Sequence, residues 1–327
     1  MVIERQDRSM HPRDSFRAAL VATAWGVNFV VIDEGLKGFP PFLLLSVRFV
    51  LVAFPLILFV PRPGPWRPIL LVGLLMSLGQ FSLLYLGLQL GMPAGLASIL
   101  LQAQVMFGIV ISSVVLGEHA SRRQIAGVLV GLIGLATVAL SYGASAPIAP
   151  LALTTGAALC WAAGNVISRR SRLASGLGLV VWSAIVVPVP AMILALLVNG
   201  PHAIGHALAH TDLLTVGSTL YTVTISSLFG YTVWNSLLSR YPVGAVTPFA
   251  LLVPVAGTIS AWIVLGQTPT AAEAVGGLVL LGGVAIASLR RAAVRPTASS
   301  DGRYQASGPP APAPLDCPRS PSPASPA

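Results

Sequence analysis

Ten stretches of the chain carry apolar residues almost without interruption, and the polar positions fall between them. They run over residues 17–33, 42–60, 68–90, 94–116, 124–142, 151–168, 178–198, 213–238, 243–265 and 271–289. Each approaches the 20 or so residues an α-helix needs to cross a ~30 Å hydrocarbon core. The connections are short, which leaves no room for a soluble catalytic domain. The pattern predicts an all-α polytopic membrane protein with ten transmembrane helices, spans 1 to 10.

The pattern also repeats. A shift of 149 residues lays Pro93 on Pro242, Gly95 on Gly244, Gly108 on Gly257, Gly117 on Gly266, Gly127 on Gly276 and Gly134 on Gly283. Twelve of the 44 positions from Pro93 to Ala136 are identical to their partners, and the proline and glycines carry the weight. The halves predicted are residues 17–142 and 151–291, five spans each. Because five is odd, the second copy enters the membrane upside down, the sequence trace of a transporter built from two inverted repeats. Residues 1–16 read as a polar tail. Residues 296–327, rich in Pro, Ser and Ala, cannot bury enough apolar surface to offset their ordering entropy and read as a disordered tail.

Composition agrees with a membrane location: 55% of residues are apolar and only 9% charged, with a mean hydropathy of +0.82. The net charge of +9 would suit a polyanionic partner if it were clustered. With the N-terminus placed in the cytoplasm, however, 17 of the 19 basic residues fall on the inner side, leaving only Lys37 outside and Arg48 within a span. That is the positive-inside rule, and it makes nucleic acid an unneeded explanation. The expected location is a bacterial inner membrane, with both termini cytoplasmic. Cys160 and Cys317, one in a span and one in the tail, form no expected disulfide.

Arg48 is the costliest residue, because an arginine deep in a spanning helix costs about 2.5–3.5 kcal/mol on insertion scales. It either faces a polar cavity and attracts a carboxylate, or it snorkels outward or pins a neighbouring helix. Trp25 with Asn28, and Trp161 with Asn165, place an aromatic and an amide about one turn apart in both halves; cavity lining and interhelical hydrogen bonding are the two readings. Gln80 and Gln102 are further candidates for a lumen. Gln104, two residues from Gln102, cannot share its face. Tyr231 and Trp234 are three apart and give span 8 an aromatic face, suited either to a substrate or to an interface belt. Pro248 and Pro254 sit inside span 9 as candidate gating or kink residues. Glycines spaced four apart, as at Gly127 and Gly131, are expected to let helices approach closely.

All ten carboxylates lie in tails or near span ends. Asp33 and Glu118, near entrances, are the candidates for ion coupling; otherwise transport is facilitated or weakly coupled. His202, His206 and His210 recur every four residues between spans 7 and 8, where a solvated helix face and a metal site are the alternatives. No metal and no cofactor is expected. Catalytic residues are not expected either, since no buried nucleophile–base pair is present.

From about Phe16 to Arg291 the chain resembles the EamA family of the drug/metabolite transporter superfamily. The marks are Trp25-Gly26-x-Asn28-Phe29, Arg48-Phe49, Gly117-Glu118, Gly127 and Trp161-x-x-Gly164-Asn165. Segments such as Gly91-Met92-Pro93-Ala94-Gly95 and Leu252-Val253-Pro254-Val255 are similar to the O-acetylserine/cysteine exporter branch. The resemblance implies two inverted five-helix repeats, a central cavity and outward transport by alternating access. Its implied substrates are cysteine, O-acetylserine or related amino acids, and its partners are that small molecule and the lipid bilayer, with a homodimer left open. Gln267 departs from the acid many relatives carry there, which weakens a coupling role for that turn. The alternatives are efflux of drug-like amines or other metabolites, a metal-binding membrane protein, or an intramembrane enzyme.

Overall fold

A computed structural model describes residues 10–141, 148–173, 176–241 and 243–288. Among them, ten helices are long and apolar enough to cross a membrane. Span 1 is Pro12–Gly38, span 2 Pro41–Leu58, span 3 Trp66–Gln89, span 4 Ala94–Leu116 and span 5 Arg122–Leu140. Span 6 is Ile148–Arg170, span 7 Pro188–Ala209, span 8 Leu213–Arg240, span 9 Pro248–Leu265 and span 10 Ala271–Ser288. The proposed tail at 296–327 and most of the inter-repeat loop lie outside the described residues.

Several boundaries differ from those the apolar pattern predicts. Span 1 begins at Pro12, so residues 12–16 are helical rather than tail: proline occupies the first turn and the His11 ring accepts from the Arg13 amide at 3.2 Å. The region expected to hold span 7 is broken. A helix at Leu177–Ala184 gives way to Pro188–Ala209, where Pro188 opens a new first turn. Gly200, at φ 77°, then lets the chain turn so that Pro201 begins further helix. His202 and His206 therefore lie on helix, and His210 caps its end.

The inversion is visible in how equivalent helices meet. Spans 4 and 9 run antiparallel: Ala94 N–H donates to the Gln267 side chain at 2.9 Å, Ser98 faces Gly257, and Gln102 donates to the Ala250 carbonyl at 3.1 Å. Glu118 and Gln267 thus lie at opposite ends of span 4. Spans 5 and 10 are likewise antiparallel, and their contacts come in matched pairs. A Cβ on Gly127 would lie 2.6 Å from the Gly283 carbonyl oxygen, and one on Gly134 2.6 Å from that of Gly276. Each glycine of the second pair is the 149-residue counterpart of one in the first. Only residues without a side chain permit such backbone approach.

The backbone irregularities are duplicated as well. Span 3 is π-helical over Gly73–Gly79 and span 8 over Thr222–Phe229, again 149 residues apart at their starts. Gly117 and Gly266 end spans 4 and 9 with left-handed φ values of 67° and 65°. In span 9, Pro248 lies in a 3₁₀ stretch, Thr247–Leu251, and Pro254 in the first turn of the α-helix Leu252–Leu265. Proline is compatible with a first turn, so Pro254 marks a helix start rather than bending one.

Candidate functional site

Arg48 is 2% exposed, so it does not snorkel to a headgroup layer. Its Nη1 donates to the Tyr85 hydroxyl at 2.7 Å and its Nη2 to the Ser227 hydroxyl at 3.0 Å. The guanidinium lies 4.2 Å from the Phe81 ring centroid, within cation–π range. Phe81 and Tyr85, four apart on span 3, share the face that receives it. Both partners are neutral, and the guanidinium Nε has no hydrogen-bond partner among the described residues. Arg48 therefore joins spans 2, 3 and 8 without a counter-anion.

The span 8 partner comes from its π-helical stretch. Ser227 donates to the carbonyl of Thr222, five residues back, while its oxygen accepts from Arg48. One residue earlier, the Ser226 carbonyl accepts from the Trp25 indole at 2.9 Å. Segments wound in this way frequently lie at functional sites. Trp25 also meets Tyr231 and Trp234, with ring centroids 5.4 and 5.2 Å apart, so these three side chains form one aromatic cluster between spans 1 and 8. Asn28 is buried one turn further along span 1, and its Oδ1 has no partner among the described residues.

The second half presents its matching pair differently. Trp161 packs against the main apolar core, whereas Asn165 is exposed. Asn165 lines a cleft of about 260 Å³ between spans 4 and 6, with Gln104, Gly108 and Ser112 opposite. Glu118 and Arg169 bracket its mouth in a two-pronged ion pair, one bond being 3.1 Å. The helix from Leu116 to Gln104 rises over 12 residues, about 18 Å at 1.5 Å per residue, so the cleft runs along more than half of the ~30 Å that a spanning helix crosses.

The candidates thus divide between two places. Trp25, Arg48, Tyr231 and Trp234 surround the span 8 distortion, and Asn165 and Glu118 line the cleft. Gln102 is occupied by the Ala250 carbonyl, and Gln104, set aside in the sequence reading, faces the cleft. Gln80 is buried at the end of the span 3 distortion. Asp33 is half-buried near the far end of span 1, away from the cleft. Tyr85, Phe81, Ser227 and Arg169 were missed. Tyr85 was findable, because the 149-residue shift lays it on Trp234.

At the end opposite the cleft mouth, His206 and His210 stack with centroids 4.1 Å apart. No group of three or more His, Cys, Asp or Glu side chains placed to hold a metal occurs among the described residues.

Ten spanning helices in two inverted halves, with a polar cleft entering from one end, define a membrane carrier rather than an enzyme. The chain belongs to the EamA-like transporter family, whose profile matches residues 15–140 and again residues 149–289. It is 40% identical, over 85% of its length and 95% of the relative's, to a probable amino-acid metabolite efflux pump of Salmonella typhimurium (strain LT2). A protein of the same description from Escherichia coli (strain K12) is 37% identical over the same shares. A probable terminal-alkyne amino-acid exporter of Streptantibioticus cattleyicolor is 27% identical over 87% of the chain and 96% of the relative. A crystal structure described only as that of a protein superposes with a TM-score of 0.58 over 86% of this chain and 97% of the other, at 19% identity, a likeness of fold alone.

Proposed function

We propose that the protein exports small amino-acid metabolites, cysteine and O-acetylserine foremost, across a bacterial inner membrane by alternating access. The observation that carries this reading is the cleft between spans 4 and 6, which opens at the Glu118–Arg169 end and runs along span 4 as far as Gln104. With the positive-inside rule that end is cytoplasmic, so the cleft is the loading path and both termini lie inside. The likeness to two bacterial probable amino-acid metabolite efflux pumps supports the amino-acid chemistry.

In this reading Arg48 attracts the substrate carboxylate, for which Tyr85 and Ser227 are neutral place-holders. Asn28, Gln80, Gln102 and Asn165 bind polar ends as the two repeats move, and Trp25, Trp161, Tyr231 and Trp234 cover the short side chain. Glu118 opens and closes with the cleft mouth, Asp33 serves the far entrance, and Pro248 and Pro254, at the junction of the 3₁₀ stretch with the α-helix, are the gating positions of span 9. Residues 17–142 and 151–291 act as the two moving halves.

The test is counterflow in proteoliposomes with radiolabelled cysteine, O-acetylserine, other amino acids and simple amines, with and without a pH gradient. Accumulation of the first two is expected. Accumulation of amines alone would replace the substrate class, and no accumulation of any solute would remove the carrier reading.

A further inference from the structure

Counterpart residues of the two halves ought to have alike surroundings, and at one pair they do not. Gly257 of span 9 is closed in: a Cβ there would lie 2.7 Å from the Ser98 Cβ and 3.4 Å from the Gly26 carbonyl oxygen. From the other side, a Cβ on Gly26 would lie 2.7 Å from the Gly257 nitrogen. Spans 1 and 9 therefore touch backbone to backbone. Gly108, the 149-residue counterpart in span 4, has no atom within 4 Å of the space its Cβ would fill and lines the open cleft against span 6.

The turns after these helices differ in the same sense. Gln267 caps the start of span 4 by accepting from Ala94 N–H. Its counterpart Glu118 reaches to Arg169 of span 6 instead.

We infer that Gly108 is the closing contact of the cleft: in the opposite state of the carrier it packs backbone to backbone on span 6, near Ala162, as Gly257 packs on span 1 here. In that exchange the Gly26–Gly257 contact opens. The chemistry requires glycine at residue 108 only in the state not seen, since the space around it is empty in this one. A residue with no neighbours is otherwise free to vary. This positioning role rests on the alternating-access reading, but its test reads conformation as well as export.

The test places Gly108→Leu in the full-length chain with both native cysteines changed to serine and Gln104→Cys as a reporter inside the cleft. A small membrane-impermeant thiol reagent, applied from the Glu118 side of reconstituted vesicles, reads how often the cleft is open. The leucine fits the open state, so expression and thermal stability should equal the parent's. Labelling of residue 104 should speed up at least threefold, because the closed population is lost, and export should fall below one-tenth.

Gly257→Leu should shift labelling the opposite way; where it does not fold, the Gly108→Leu arm decides alone. Labelling that is unchanged or slower in Gly108→Leu would overturn the inference, a slower rate meaning that the side chain merely blocks the cleft. If the parent exports none of the tested solutes, the proposed function fails while the labelling result still stands or falls by itself.

Discussion

Replacing Arg48 by glutamine separates the two readings of that residue. The substitution removes a guanidinium that donates to Tyr85 at 2.7 Å and Ser227 at 3.0 Å and lies 4.2 Å from the Phe81 ring. Ser227 keeps its own bond to the Thr222 carbonyl, so only the fully buried Tyr85 hydroxyl loses the bond it receives from Arg48. An unsatisfied buried hydroxyl costs about 1–3 kcal/mol, and losing the insertion penalty of the arginine, about 2.5–3.5 kcal/mol, acts in the other direction. The variant should therefore insert at least as well as the parent, and its thermal stability in detergent should fall by no more than the cost of the unpaired hydroxyl and the lost Phe81 contact. Transport should fall much further. A hydrogen bond to a charged group is worth about 1.5–3 kcal/mol, which corresponds to roughly a 10- to 150-fold rise in KM for a carboxylate-bearing solute. Initial rates of counterflow against substrate concentration measure it. Arg48→Lys keeps the charge without the planar fork and should fall between the two. An unchanged KM together with a lower melting temperature would assign Arg48 to holding spans 2, 3 and 8 together, and the carboxylate role would be lost.

Two further outcomes follow from the packing and the caps. Gly283→Val would place a Cβ 2.6 Å from the Gly127 carbonyl oxygen, with backbone on both sides of the contact, so spans 5 and 10 must separate. Overpacking of this kind costs about 1–3 kcal/mol, which thermal unfolding in detergent should register, whereas Gly282→Val, at a position with nothing within 4 Å, should not. At the start of span 8, hydrogen bonds from Thr215 hold the Asp212 carboxyl below its ordinary pKa, the amide bond being 2.8 Å. The lowered value means this cap stabilises the folded state fully above the unfolded value of about 3.9 and is lost as pH falls below it. The protection factor of the Thr215 amide, the unstructured exchange rate divided by its own at the same pH, should fall over that acid range, and Asp212→Ala should remove this pH dependence.

How legible the fold was depended on where side-chain pattern and backbone geometry agree. Span 4 is bounded as the apolar run predicts, because Pro93 precedes it and Gly117 ends it, signals that act locally. Span 7 is displaced, since Pro188 and Gly200 redirect the helix without interrupting the apolar pattern. Arg48 stood out from its insertion cost alone. Its partners did not, because Tyr85, Phe81 and Ser227 arrive from spans 3 and 8 and nothing local ties them to residue 48. The two tryptophan–amide pairs look equivalent along the chain. They are not, because one is sealed against span 9 and span 8 while Asn165 of the other borders an open cleft, a difference set by which helices pack on each pair.

The extra residue wound into spans 3 and 8 has an implication for ancestry. Widening a helical turn requires one additional amino acid at a defined point, and here two helices that enter the lipid from opposite faces widen at matching points. An ancestral five-helix protein already carrying the swollen turn explains both at once. The irregularity is then older than the duplication, and it persisted although the sequences around it, Gly-Leu-Leu-Met-Ser-Leu-Gly and Thr-Val-Thr-Ile-Ser-Ser-Leu-Phe, drifted almost completely apart.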